Sequence, residues 1–322
     1  MNGLDRAVPT NIFAPAATPA HAIFGLSLLT LSVTLSIFLV VGSLILYALI
    51  RYRERPEQND HEPVQLYGSN QIEISWTVIP ILIVIVLFLA TARVLIATER
   101  SQAPARVTNV TVVGHQFWWE FRYPGTNVVT ANELHIPTSG ERNPRPTYLT
   151  MISADTDHSF WVPRLAGKLD VIPNKINVMW FDPPSPGLYL GQCAQYCGTQ
   201  HAKMLIRVYA QKPAEYDHWL AGQALLAVSD PKVADGRTVF ENNACMNCHR
   251  IRGTVADGQF GPDLTHFASR ETLASGAVPN DDSHLREWIK DPDHYKKGAR
   301  MPAMHLDDQQ IARVSAYLET LH

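Results

Sequence analysis

The chain has 322 residues, too many for one ordinary domain. It is 46% hydrophobic and 18% charged, with a formal net charge of −3. That balance excludes a disordered chain and gives no basic footprint for nucleic acid.

His21 to Ile50 holds no charged residue, and a membrane-spanning helix needs only about 20 apolar residues. Ile74 to Ala92 is also uncharged, with Pro80 near its start, where a membrane helix tolerates it. The two runs predict a two-helix transmembrane hairpin within residues 1–103. A buried helix pair or a cleaved leader fits such lengths poorly. Two spans put both termini on one side. Arg51, Arg53 and Arg55 in the loop weakly favour a cytoplasmic loop, but Arg93, Arg100 and Arg106 follow the second span. Glu73 lies at the start of the second helix, where an ionisable group can snorkel to water.

After Arg100 the pattern changes to short β-type segments at Val107–Val113, Tyr148–Ile152, Lys175–Phe181 and Met204–Tyr209. Turn clusters such as Pro124-Gly125-Thr126-Asn127 and Pro183-Pro184-Ser185-Pro186-Gly187 separate them. This predicts a β-sandwich or barrel over residues 104–212. Within it, Cys193, Cys197, His201 and Met204 fall inside twelve residues. Soft thiolate and thioether ligands with imidazole select copper. A mononuclear blue site needs one cysteine, whereas two cysteines four apart can bridge two copper ions. His201 supplies one imidazole, and the other must come from upstream. A Cys193–Cys197 disulfide would leave the spacing of His201 and Met204 unexplained.

Lys212-Pro213 ends the β pattern. A helix over Glu215–Leu226, with Trp219 and Leu220 on one face, is expected to form a linker within residues 213–231. Residues 232–322 read as helical and loop-rich. Ser283 can cap a helix carrying Leu285, Trp288 and Ile289. Asp307 can cap a final helix carrying Ile311, Val314, Tyr317, Leu318 and Leu321.

Cys245-Met246-Asn247-Cys248-His249 is the attachment motif for c-type haem. The two thiols add across the haem vinyl groups, and His249 becomes one axial ligand. Zinc would need a second ligand pair nearby, and a redox dithiol would not need the histidine. Met301, in Gly298-Ala299-Arg300-Met301-Pro302, is the first choice for the second axial ligand, because a thioether suits Met/His ligation. Met304, His266 and His305 are the other candidates. Gly236, Phe240, Gly261-Pro262-Asp263-Leu264, Trp288 and Tyr317 resemble the supporting residues of class I cytochromes c, which implies an all-α class I cytochrome c domain. Attachment of c-type haem takes place on the outer face of the bacterial membrane, so the soluble part is expected to be periplasmic or extracellular.

The pattern Cys-x-Gln-x-Cys-x-x-x-His-x-x-Met from Cys193 to Met204 resembles the dinuclear CuA site of cytochrome c oxidase subunit II. Asp157-His158-Ser159-Phe160-Trp161-Val162-Pro163 resembles the family segment that gives the first histidine. Gly114-His115-Gln116-Phe117-Trp118-Trp119-Glu120-Phe121 resembles the aromatic stretch beneath the copper. With the haem motif, nearly the whole chain resembles the fused form of this subunit, and the β-domain would be a cupredoxin domain. The resemblance implies that Cys193 and Cys197 bridge the coppers. It gives His158 and Met204 to one copper, and His201 and the Gln195 carbonyl to the other. Many family members have Glu where this chain has Gln195, and that Glu side chain helps bind magnesium at the boundary with subunit I. The departure leaves the magnesium ion without that ligand. Phe117 stands where the family often has the Trp that receives electrons, so Phe117, Trp118 and Trp119 are candidates for the electron path. Glu73 sits where the family marks the entrance of a proton path.

The resemblance implies a subunit of a respiratory enzyme whose dioxygen-reducing site is in another subunit. Electrons would arrive at the haem, pass to CuA, and go on to haem in subunit I, where dioxygen is reduced to water. Implied partners are subunits I and III and an upstream donor: a cytochrome c, another c-type carrier, or a quinol:acceptor complex. The place implied is the bacterial inner membrane, spanned twice. Two rival readings remain: the electron-accepting subunit of a copper-containing nitric oxide reductase, and a free-standing membrane-tethered carrier. A quinol oxidase subunit is disfavoured, because those relatives lack the copper ligands.

Overall fold

The two uncharged runs form two long helices, α1 over Thr18–Arg51 and α2 over Asn70–Thr98. At about 1.5 Å per residue, both exceed the ~30 Å apolar thickness of a bilayer. Their Leu, Ile, Val and Phe side chains are exposed on every side, as in Phe38, Leu49, Ile79 and Phe88. Such a surface suits lipid and not water. The hydroxyls of Ser27, Thr30, Ser36, Ser75, Thr77 and Thr91 each donate to the carbonyl four residues back, so the polar groups are satisfied inside the helix. Pro80 lies inside α2, and Glu73 occupies its first turn, where a carboxylate faces the positive end of the helix dipole. The computed structural model describes residues 10–53, 65, 67–99, 107–140, 144–228 and 230–322; Arg55, Arg100 and Arg106 lie outside them. Residues 22–98 form one unit, and the soluble part belongs to the other.

The four β-type segments fall within a ten-stranded domain. Its strands are β1 (Thr108–His115), β2 (Trp118–Arg122), β3 (Val129–Ala131), β4 (Glu133–Pro137) and β5 (Thr147–Ser153). Then come β6 (His158–Trp161), β7 (Leu169–Val171), β8 (Asn177–Phe181), β9 (Gly187–Cys193) and β10 (Leu205–Gln211). The four segments become β1, β5, β8 and β10. One sheet has the order β3-β2-β1-β5-β8 and the other β4-β10-β9-β6-β7. Two pairings are parallel, β1 with β5 and β4 with β10. Val110 and Val112 of β1 point inward and are buried, while Asn109 before them is exposed and Thr111 between them only half-buried, the period-two pattern of a half-buried strand. They meet Leu134, Ile136 and Val208 of the other sheet in one core, so the two sheets form a sandwich.

The expected linker helix is α3, Pro213–Gln223. Trp219 stacks on His135 of β4, with ring centroids 4.1 Å apart, and Tyr209 stacks on His135 at 4.9 Å. Burial between these rings pulls His135 from 6.5 down to about 4. Between those two values the unfolded chain binds a proton that the folded chain does not. Stability is therefore intact above about pH 6.5, falls as the pH drops through this window, and levels off below about 4. The melting temperature of the soluble part, followed by circular dichroism in the detergent-solubilised chain, should fall between neutral pH and about 5. His135→Phe should flatten that slope, and an unchanged slope would remove His135 as its cause.

The C-terminal region holds α4 (Ala234–Asn242), α5 (Cys245–Cys248), α6 (Asp282–Lys290), α7 (Pro292–Tyr295) and α8 (Asp308–Leu318). A two-stranded ribbon, β11 (Thr272–Leu273) with β12 (Val278–Pro279), lies between α5 and α6. α4 crosses α8 at Gly236, where a Cβ would run into the Arg313 carbonyl. Phe240 and Tyr317 meet edge to face beside this crossing, at 6.1 Å. Asp307 caps α8 in a capping box with Gln310. The expected Ser283 cap is corrected. Asp281 caps α6 by accepting from the His284 amide, and Ser283 sits inside the helix. A carboxylate two residues earlier reaches the free amides and also faces the positive helix end.

Candidate functional site

Strand pairing builds the first cluster. β6 runs beside β9 with Phe160 opposite Cys193, which brings His158 to the end of β9. The Cys193 amide donates to the Met204 carbonyl at 2.9 Å, closing the 193–204 loop on itself. Gly198 takes a positive φ there, and a Cβ would collide with the Phe117 ring at 2.9 Å. The loop, with His158 of β6, thus places five side chains together. The two sulfurs of Cys193 and Cys197 are 3.9 Å apart, far beyond a disulfide bond. Cys193 Sγ lies 4.0 Å from His158 Nδ1 and 3.2 Å from the Gln195 carbonyl oxygen. Cys197 Sγ lies 3.8 Å from His201 Nδ1 and 3.9 Å from Met204 Sδ.

The cluster is buried: His158 and Met204 are inaccessible, and both thiols nearly so. The hydrogen bond between the thiols holds Cys193 well below its ordinary value, with His158 adding to the effect. The same bond pushes Cys197 up. The pair shares one proton, so one thiolate stands ready for a soft metal. Burial disfavours the His158 imidazolium, but hydrogen bonds to Asp155 and Cys193 outweigh it and the net shift is upward. His158 Nε2 pairs with Asp155 Oδ1 at 2.8 Å, leaving Nδ1 turned to the sulfurs. An outer carboxylate fixing a ligand imidazole is common at metal sites. This donor set fits a copper pair.

The second site is a cavity of about 930 Å³. Cys245, Cys248 and His249 line it, with Met301, Met304 and Trp288. His249 Nδ1 lies 2.8 Å from the Pro262 carbonyl, which leaves Nε2 for a metal. Burial lowers His249, which keeps it neutral as a ligand must be. A Cβ on Gly261 would come within 2.7 Å of the His249 ring, so that glycine makes room for the imidazole. The half-buried Arg270 and the buried Lys296 also line the cavity, and Arg270 suits a carboxylate of a haem. Burial, with the Lys203 charge adding, pulls Lys296 down to about 7. The size and lining fit a haem. Of the other axial candidates, Met304 lines the cavity, while His266 Nε2 is turned to the Leu225 carbonyl at 3.0 Å. His305 is not among the lining residues.

The aromatic stretch divides between the two sites. Phe117 and Trp118 line the haem-sized cavity, and His115 stacks on Trp118 at 4.3 Å. Trp119 is fully buried and meets His158 edge-on at 5.8 Å. Sequence reasoning missed Asp155, Gln116 and Lys296. Asp155 had a signal, a carboxylate three residues before a ligand histidine. Gln116 donates through Nε2 to the Cys197 carbonyl at 2.6 Å, a contact with no sequence signature.

Comparisons with known proteins agree with this order of domains. Residues 7–94 match the family described as cytochrome C oxidase subunit II, transmembrane domain, and residues 108–211 match its periplasmic domain. Residues 233–322 match cytochrome c. The chain is 34% identical over 315 residues to cytochrome c oxidase subunit 2 of Alkalihalophilus pseudofirmus, covering 95% of this chain and 89% of that one. It is 31% identical to the same subunit of Bacillus sp. strain PS3, covering 95% and 90%. Quinol oxidase subunit 2 of Bacillus cereus is 30% identical over 68% of this chain and 74% of its own length. With two membrane-length helices, a β-sandwich holding the clustered thiols and a haem-motif domain, the chain belongs to the cytochrome c oxidase subunit II family, in a form that ends in a cytochrome c domain.

Proposed function

We propose that this chain receives electrons at a covalent haem c and passes them through a dinuclear CuA centre to the haem of subunit I, for reduction of dioxygen to water. The observation that carries the reading is the convergence of His158, Cys193, Cys197, His201 and Met204 in the same soluble unit as the cavity lined by Cys245, Cys248 and His249. Cys193 and Cys197 would bridge the coppers. His158 and Met204 would complete one, and His201 and the Gln195 carbonyl the other. Cys245 and Cys248 would hold the haem, with His249 and Met301 on its iron. Bound there, these groups supply reversible one-electron chemistry. The chain's own part is to hold the donors fixed, exclude water, keep His249 neutral and lock the His158 ring with Asp155. The magnesium site at the subunit I boundary loses the expected carboxylate at Gln195.

The division proposed is 1–103 for the membrane anchor, 104–212 for the copper domain, 213–231 for the linker and 232–322 for the haem domain. The place is the bacterial inner membrane, spanned twice, with the soluble domains on the periplasmic side. Glu73 would mark the entrance of a proton path. Partners would be subunits I and III and a donor such as a cytochrome c, another c-type carrier or a quinol:acceptor complex. The longer match to cytochrome c oxidase relatives, 95% of the chain against 68% for the quinol oxidase relative, supports a cytochrome c oxidase.

Metal and haem analysis of the detergent-purified chain should give two coppers and one haem. One copper, or none after reconstitution, would sink the dinuclear centre. The native complex should contain a haem-copper subunit and turn over dioxygen. Isolation of the chain alone would favour a free-standing carrier, and faster turnover of nitric oxide would favour a reductase.

A further inference from the structure

Lys296 is buried, at 4% exposure, in the segment that follows α7. Buried lysines are almost always paired with a carboxylate. Among the described residues none pairs with this one. Its Nζ instead donates to the Phe117 carbonyl of the β-sandwich at 2.8 Å and to Ser275 Oγ at 3.0 Å. Ser275 donates to the same carbonyl at 2.8 Å. Around this point the haem-motif domain lies directly on the 197–203 loop. Gln200 donates to the Lys297 carbonyl, and Lys203 to the Tyr295 carbonyl. A Cβ on Gly298 would come within 2.9 Å of Thr199 Oγ1, so the Thr199 side chain packs directly on the backbone at Gly298. Arg300, next to Met301, donates to Gln116 Oε1, and Gln116 Nε2 donates to the Cys197 carbonyl at 2.6 Å.

We propose that Lys296 is a positioning residue for electron transfer within the chain: it locks the haem-bearing domain on the 116–117 turn, so that Arg300–Gln116–Cys197 forms a hydrogen-bonded route between the two sites. The proposal rests on the haem and copper reading above. The step served is one electron: haem iron goes from ferrous to ferric as the copper pair is reduced by one electron, with no bond made or broken. Electron tunnelling decays more steeply across gaps than along bonds, so a route closed by hydrogen bonds outperforms one interrupted by a loose interface. A second contact holds the domains together without Lys296. The buried Glu133 carboxylate accepts from the Glu271 amide at 3.2 Å and the Thr272 amide at 2.8 Å. Loss of Lys296 therefore loosens the 295–300 segment rather than releasing the domain.

The test uses the full holoprotein in detergent and variants Lys296→Met, Lys296→Arg and Gln116→Leu. After flash reduction of the haem, its reoxidation by copper should slow by roughly tenfold or more in Lys296→Met, the scale on which small misplacements act. Lys296→Arg, which keeps charge and donors, should recover most of the rate. Potentials and visible spectra of both centres should stay unchanged. Amide hydrogen exchange at 197–203 and 295–300 should rise in Lys296→Met alone. An unchanged rate, or one that falls only with a shifted potential, overturns the proposal. Should Lys296→Met fail to fold, Gln116→Leu decides, since an unaffected rate there removes the route. Copper and haem content of the parent protein reports separately on the underlying reading.

Discussion

Replacing Cys197 with Ser is expected to leave the purified chain without bound copper while its covalent haem stays in place. The two thiols stand 3.9 Å apart, and each has its own imidazole within about 4 Å. Cys197 alone touches both His201 and Met204, so its sulfur is the hub of the cluster. Serine nearly preserves size but offers a hard oxygen in place of a soft thiolate. Loss of an outer-shell partner already costs about 10–100-fold in metal affinity, and loss of a bridging ligand should cost more. Copper analysis beside a haem spectrum reads the result. The haem of this variant should still reduce, yet pass no electrons to the oxidase. Copper retained in pairs would show that the bridge lies elsewhere.

Met301→Leu should give the second large effect, a fall in haem potential of a few tenths of a volt, within the roughly 0.8 V that axial ligands span. Leu matches Met in volume, so an exchange of this kind costs less than about 1.5 kcal/mol and the domain should stand. What disappears is the thioether, and with it the red charge-transfer band of sulfur on ferric iron. Met304 also lines the cavity, so Met304→Leu is the control and should leave band and potential in place. If the two variants exchange behaviours, the ligand is Met304. If neither matters, the iron is held on that side by something other than a methionine.

The clustering of the 193–204 loop was legible because its soft donors fall within one twelve-residue stretch, and ligand chemistry has little tolerance for other residue types. Four sandwich strands, β1, β5, β8 and β10, were legible from their β-branched runs and the two long helices from length and charge, whereas the six other strands were not read from sequence. His158 needed the family resemblance, because it reaches Cys193 only through the pairing of β6 with β9, across 35 positions of chain. The α6 cap was misplaced because Asp281, Asp282 and Ser283 are all competent caps, and only the backbone turn chooses among them. The contact between the haem-motif domain and the copper loop was invisible for a different reason. Three of its acceptors are the backbone carbonyls of Phe117, Tyr295 and Lys297, and a carbonyl has no residue identity to read.

The stacking of Trp219 on His135 holds the linker helix flat against the sandwich, so the connection is not a slack tether. A haem donor held this way would have no search to perform. Its effective concentration is fixed by geometry rather than by how many carriers are in solution. Delivery to copper should then be first order and indifferent to ionic strength, because no charged encounter precedes it. Any salt dependence of oxidase turnover would then belong to the outer face of the haem domain, where the proposed upstream carrier would collide and leave.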